Sequence, residues 1–157
     1  MLKYEGALIA VQDIAVSRRF YEECLEQKVK FDFNVDVSYE GGLTLHQKDH
    51  FQDLLGGERF PVLSKAHSGE LYFETDDLDL FERRLQSIGT EFIHPVREQP
   101  WGQRVMRFYD PDGHVIEIGE SMQAVVRRFH HQARSVESIC QQTGMPRPFV
   151  EDALGAG

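Results

Sequence analysis

The stretch "RFYDPDGHVIEIGE", residues 107–120, decides the fold. Two runs of strand-forming residues flank Asp110-Pro111-Asp112-Gly113. Proline fixes one φ, glycine accepts a positive φ, and aspartate bonds to the turn backbone, so the four residues read as a tight turn between antiparallel strands. The second strand carries Glu117 between Ile116 and Ile118. Side chains alternate across a strand, so isoleucines in a core send Glu117 to the other face. There it meets either water or a pocket, where a carboxylate can bind a metal or move a proton.

Working back from this hairpin, "TEFIHPV" reads as a strand and "LDLFERRLQSIG" as a helix. Leu78, Phe81, Leu85 and Ile88 are expected to face inward, with Gly89 as the stop. "GELYFETDD" before it is a strand ending in acids. The same order opens the chain. "GALIAVQD" is a strand, "IAVSRRFYEECLEQ" an amphipathic helix, and "KVKFDF", "VDVSYE" and "GGLTLHQ" alternate as strands. An offset of 64 residues lays Asp13 on Asp77, and Ile14, Tyr21 and Cys24 on Leu78, Leu85 and Ile88. The halves match in pattern, hardly in identity. Residues 49–66, with Gly-Gly and Pro61, read as a helical turn and a linker.

The chain has 157 residues, 41% of them hydrophobic, which suits one domain of about 1–120 built from modules of about 1–48 and 67–120. A helical extension, 121–157, follows. The net charge of -9 argues against non-specific binding to nucleic acid or an anionic membrane. Two cysteines, Cys24 and Cys140, read as reduced thiols of a cytoplasmic protein. No signal-peptide pattern opens the chain, and no apolar run approaches the ~18 residues of a membrane span. Glycine-rich phosphate loops and nucleophile elbows are absent.

"ALIAVQDIAVSRRFYEECL", "LYFETDDLDLFERRLQSIG" and "RFYDPDGHVIEI" together resemble the vicinal oxygen chelate superfamily, the glyoxalase, bleomycin-resistance and ring-cleaving dioxygenase group. "PWGQR" before the last hairpin is similar to glyoxalase-like bacterial proteins. The resemblance covers residues 4–120 and implies an α+β fold. Two βαβββ modules would form a curved mixed sheet around a cavity, often in a homodimer. It also implies metal ligands on the first and last strands of each module. Those positions here are Gly6 and His46, then Glu70 and Glu117. His46 is placed by strand phase: with Leu43 and Leu45 in the core, Thr44 and His46 point to the cavity.

One imidazole and two carboxylates suit Zn, Ni, Mn or Fe. Gly6 has no side chain to coordinate, and Glu70 stands where a histidine is usual. Without a metal, two close carboxylates repel, and one would hold a proton and serve as a general acid or base. Both residues are therefore candidates for catalysis, and a solvated edge is the bland alternative. The implied functions are a metal-dependent lyase or dioxygenase relative, or a metal-free sequestering protein of the bleomycin-resistance kind.

"IHPVREQPWGQRVMRF", residues 93–108, adds Trp101 in a loop, together with Arg104 and Arg107. The arginines are three apart in a strand and face opposite sides. Arg104, nearer Trp101, is expected to line the cavity, where an arginine with an aromatic suits an anionic or planar ligand. An ion pair with an acid is the alternative. In the extension, Met122, Val125, Val126 and Phe129 share one helical face, Ser135 caps a second helix, Gly144 ends it, and "PRPFVEDAL" starts a third. The arrangement allows a helix-turn-helix reading. But "FVEDAL" offers two acids and no basic or amide residue to read a base edge, so packing is preferred to a DNA-binding regulator.

Overall fold

Asp13 and Asp77, the acids aligned by the repeat, each start a helix. Asp13 accepts from the amides of Ala15 and Val16, and Asp77 from that of Leu80. Each caps the otherwise unpaired first turn of its helix. The computed structural model describes residues 1–155, so the last two residues of the C-terminal extension lie outside the described residues. Two compact units result: residues 1–69 with 110–114, and residues 70–109 with 115 onward.

The first unit contains β1 (Ala7–Val11), α1 (Ile14–Arg19), β2 (Val29–Asp32), β3 (Asp36–Tyr39) and β4 (Leu43–Gln47). Its sheet has the order β1-β4-β3-β2, with β1 parallel to β4 and the other pairs antiparallel. The expected long first helix is divided: α1 passes into a π-helical turn over Phe20–Cys24. That turn buries Phe20 and Tyr21 with Val11, Leu25, Val37, Tyr39 and Leu45. The alternation of Val29, Phe31 and Phe33 does not feed this core. All three are exposed, because β2 is an edge strand and α1 covers the sheet elsewhere. Residues 48–55 form a two-turn helix, α2 (Lys48–Leu55), ended by Gly56 in a left-handed conformation.

The second unit repeats the order with β5 (Glu70–Thr75), α3 (Leu78–Ser87), β6 (Phe92–Glu98), β7 (Arg104–Tyr109) and β8 (Val115–Glu120). Its sheet runs β5-β8-β7-β6, again with one parallel pair, β5 with β8. Leu78, Leu85, Met106, Phe108, Ile116 and Ile118 are buried. Ile88, expected inward, is exposed, because α3 ends at it and the chain turns at Gly89. Two four-stranded mixed sheets with their helices make this an α+β fold of two βαβββ modules.

Three helices complete this unit: α4 (Met122–His131), α5 (Val136–Thr143) and α6 (Arg147–Gly155). Ser121 caps α4 and Ser135 caps α5, each through its hydroxyl. Val125, Val126, Phe129, Ile139, Val150 and Ala153 form a core of their own, with Phe149 and Leu154 packed at its margin. Burying each larger apolar side chain contributes ~1.5–3 kcal/mol, so the helices are held by packing. Among the described residues no helix is long and apolar enough to cross a membrane.

Candidate functional site

The tight turn sets the register of the last hairpin. Tyr109 lies opposite Val115, so Arg107 lies opposite Glu117 and Arg104 beside Glu120. On the parallel side Tyr72 lies opposite Glu117. One face of the second sheet therefore carries Glu70, Tyr72, Glu74, Arg107 and Glu117, with His94 across from Arg107. The other face carries the isoleucines and the core.

Glu117 is 6% exposed, so its carboxylate needs a partner. Arg107 supplies it. The guanidinium is ion-paired with Glu117 Oε2 through Nη2, and holds Glu70 through Nε at 2.8 Å and Nη2 at 3.3 Å. Its Nη1 lies 3.4 Å from His94 Nε2. Glu70 and Glu117 are thus brought together by a guanidinium. The repulsion expected of two bare carboxylates is offset by Arg107, whose fork suits two acids.

Arg104, expected to line the cavity, stands on the opposite face of β7 from Arg107. Its guanidinium meets Glu120 Oε1 at 2.7 Å and Asp79 at 3.1 Å. Arg128 of α4 reaches Glu120 Oε2 at 2.9 Å and Glu98 at 3.1 Å. Burial by itself raises the Glu120 carboxyl, but hydrogen bonds from Arg104 and Arg128 outweigh it and hold the pKa below its ordinary value. This cluster fastens α3 and α4 to the sheet. Trp101 is exposed, and its indole donates to Gln103 Oε1 at 3.0 Å. Gln103 in turn donates to the Tyr72 hydroxyl at 2.8 Å. Tyr72 bonds Glu74 at 2.8 Å. The loop is thereby tied to the Glu117 face through Tyr72 and Gln103, which composition and motif gave no reason to select.

In the first unit, Ala10, His46 and Asp36 form one row across β1, β4 and β3. Leu45 is buried on the other side of the strand. His46 Nε2 lies 2.6 Å from His50 Nδ1, and its Nδ1 lies 3.7 Å from Asp36. Desolvation lowers the His46 pKa, opposed by Asp36 and assisted by His50. His46 Nδ1 and Asp36 Oδ1 are buried without a hydrogen-bond partner. Gly6 offers no ligand, and its geometry excludes one: a Cβ there would overlap the Gly42 carbonyl oxygen.

The family model of the glyoxalase-like domain matches residues 4–123. The chain belongs to the glyoxalase-like family. A protein of unknown function from Agrobacterium tumefaciens is 36% identical, covering 77% of this chain and 95% of that one with a TM-score of 0.69. A glyoxalase-related enzyme from Fulvimarina pelagi is 23% identical over 77% and 89% of the two chains, with a TM-score of 0.65. A member of the glyoxalase/bleomycin resistance/dioxygenase superfamily from Sphaerobacter thermophilus is 23% identical over 77% and 98%, with a TM-score of 0.59. The last two likenesses establish the fold. Comparison with curated proteins returned no match.

The superfamily's divalent metal does not fit the residues at its four expected positions. Position 6 has no side chain and no room for one. His46 is bonded through one ring nitrogen to His50. Glu70 and Glu117 face a cationic guanidinium, which repels a second cation and hydrogen-bonds both Glu70 oxygens. Among the described residues no cluster of three His, Cys, Asp or Glu groups suits a metal.

Proposed function

We propose that this glyoxalase-like protein binds a small molecule without a metal, as a sequestering protein of the bleomycin-resistance kind. The observation that carries the reading is Arg107, which neutralises Glu70 and Glu117 and takes the place of a cation. A guanidinium at that point supports this reading over the metal-dependent lyase and dioxygenase ones, which need a Lewis acid there. Arg107, Glu70 and Glu117 would then act as a fixed polar floor. Tyr72 and Trp101, linked through Gln103, would supply the aromatic contact that holds a planar ligand. Glu74, at the edge of that floor, would favour a ligand with a basic group.

A homodimer is part of the proposal, through the exposed apolar edge at Val29, Phe31 and Phe33. Cys24 and Cys140, neither of them in a disulfide, favour a reducing cytoplasm. Trp101 is the single tryptophan, so its fluorescence reports on the site alone. Planar basic compounds titrated into chelator-treated protein should change that fluorescence saturably, at one ligand per chain and without turnover. Tyr72→Ala should weaken the binding up to roughly tenfold, as expected for one stacking contact of ~0.5–1.5 kcal/mol. Binding that requires added Ni, Mn or Zn would refute the reading.

A further inference from the structure

The "DPDGH" turn carries a second cluster, which the proposed small-molecule site does not use. Asp110 has a fully buried carboxylate. It accepts from the Tyr21 hydroxyl at 2.8 Å and from the amides of Asp112 and His114 at 3.0 and 2.8 Å. The His114 ring nitrogen Nδ1 lies 2.9 Å from the same carboxylate. An ionised carboxylate only accepts, so Nδ1 carries the hydrogen and Nε2 is left for other contacts. Burial lowers the His114 pKa, but the hydrogen bond and charge of Asp110, with that of Asp112, outweigh it and raise the value.

His114 lines a pocket of about 230 Å³ within the first unit, together with Lys48, Ser64, Asp112, Val62 and Leu63. The pocket is lined by both acceptors and donors. Asp112 spends one carboxylate oxygen on the Gln12 amide at 2.6 Å and the other on the Ser17 hydroxyl at 2.7 Å. Ser64 spends its hydroxyl hydrogen on the Asp112 carbonyl at 2.7 Å. Lys48 gives one hydrogen to the Gln12 side chain at 3.2 Å and keeps two. The hydrogens left over are on His114 Nε2, Lys48 Nζ and the Gln12 side-chain amide, and with His114 protonated its charge and that of Lys48 stand against those of Asp110 and Asp112. The volume lies below the 300–1,000 Å³ range of drug-sized ligands.

We propose that this pocket binds a small carboxylate anion, held between His114 Nε2 and Lys48 Nζ, with Val62 and Leu63 against its apolar part. Asp110 is the positioning residue: it fixes the tautomer and aims the ring. The proposal does not depend on how the Glu117 face is used.

The test follows the imidazole nitrogens of the full chain by NMR at pH 6, with His114 assigned from His114→Gln. Sodium acetate is the probe, and sodium chloride at equal ionic strength is the control. Acetate should shift the His114 Nε2 signal saturably and raise the titration midpoint of that ring, and chloride should do neither. Lys48→Ala, at a partly exposed helix start, should fold normally and bind acetate roughly tenfold more weakly. No saturable shift, an equal shift with chloride, or undiminished affinity in Lys48→Ala would each overturn the proposal. Binding of inorganic phosphate but not acetate would overturn the carboxylate assignment.

Discussion

Replacing Asp110 with alanine tests how the decisive turn is held. The wild-type carboxylate accepts four hydrogen bonds, from Tyr21, His114 Nδ1 and the amides of Asp112 and His114. Hydrogen bonds to a charged group contribute about 1.5–3 kcal/mol each, but the two amides and the imidazole lie where water can replace part of that. Tyr21 is fully buried, so its hydroxyl would be left with no acceptor, at a cost of ~1–3 kcal/mol. A net loss of about 3–5 kcal/mol follows, which is roughly 6–20 °C in Tm for a chain of this size. Urea unfolding gives the free energy and calorimetry the Tm.

Asp110→Asn separates charge from shape. It keeps an acceptor oxygen, and Tyr21 can turn its hydroxyl to receive the amide, so the loss should be about half as large. The pH dependence gives a further arm. The His114 pKa is raised in the fold, so the pair contributes fully below the unfolded imidazole value and loses its contribution as pH rises through the folded value. Wild type should therefore lose stability across that window, and Asp110→Asn should not. A loss below about 1 kcal/mol in Asp110→Ala would refute the picture of a turn anchored by its buried carboxylate.

Other outcomes are specific enough to measure. Glu120→Gln should cost about 1–3 kcal/mol in urea unfolding, less than a fully buried pair because Arg104 and Arg128 are part-exposed and keep Asp79 and Glu98. The Glu120 pKa is lowered in the fold, so its contribution is present above the unfolded carboxyl value and lost as pH falls through the folded one; Glu120→Gln should flatten that acid slope. Gly6→Ala should destabilise by roughly 1–3 kcal/mol, because the added Cβ overlaps the Gly42 carbonyl and the strand must shift. NMR titration should order the rings, with His46 below the ordinary histidine value and His114 above it.

The fold was largely legible because each module repeats a capped helix and a period-two strand pattern. Asp13 and Asp77 are helix caps, and the Pro-Asp-Gly turn closes the last hairpin. The division of the first helix was not legible, because a π-turn changes hydrogen bonding without changing the apolar spacing enough to read. Phe31 and Phe33 have the alternation of core residues but lie on an edge strand, and position in a sheet is set by non-local pairing. Arg104 is the nearer of the two arginines to Trp101 along the chain, but chain distance does not fix which face of a strand a residue takes. Counting outward from the turn would have placed Arg107 opposite Glu117, and that register was the available signal. The Asp110–His114–Tyr21 cluster had no such signal, since Tyr21 is 89 residues from Asp110.

The most direct test is a calorimetric titration of Ni, Mn and Zn into chelator-stripped protein, alongside Arg107→Ala. With Arg107 holding Glu70 and Glu117, wild type should give no stoichiometric heat above weak surface association, and the variant should gain affinity as the two carboxylates are released. Tight binding of one divalent ion per chain in wild type, weakened by Glu117→Gln, would contradict the metal-free site.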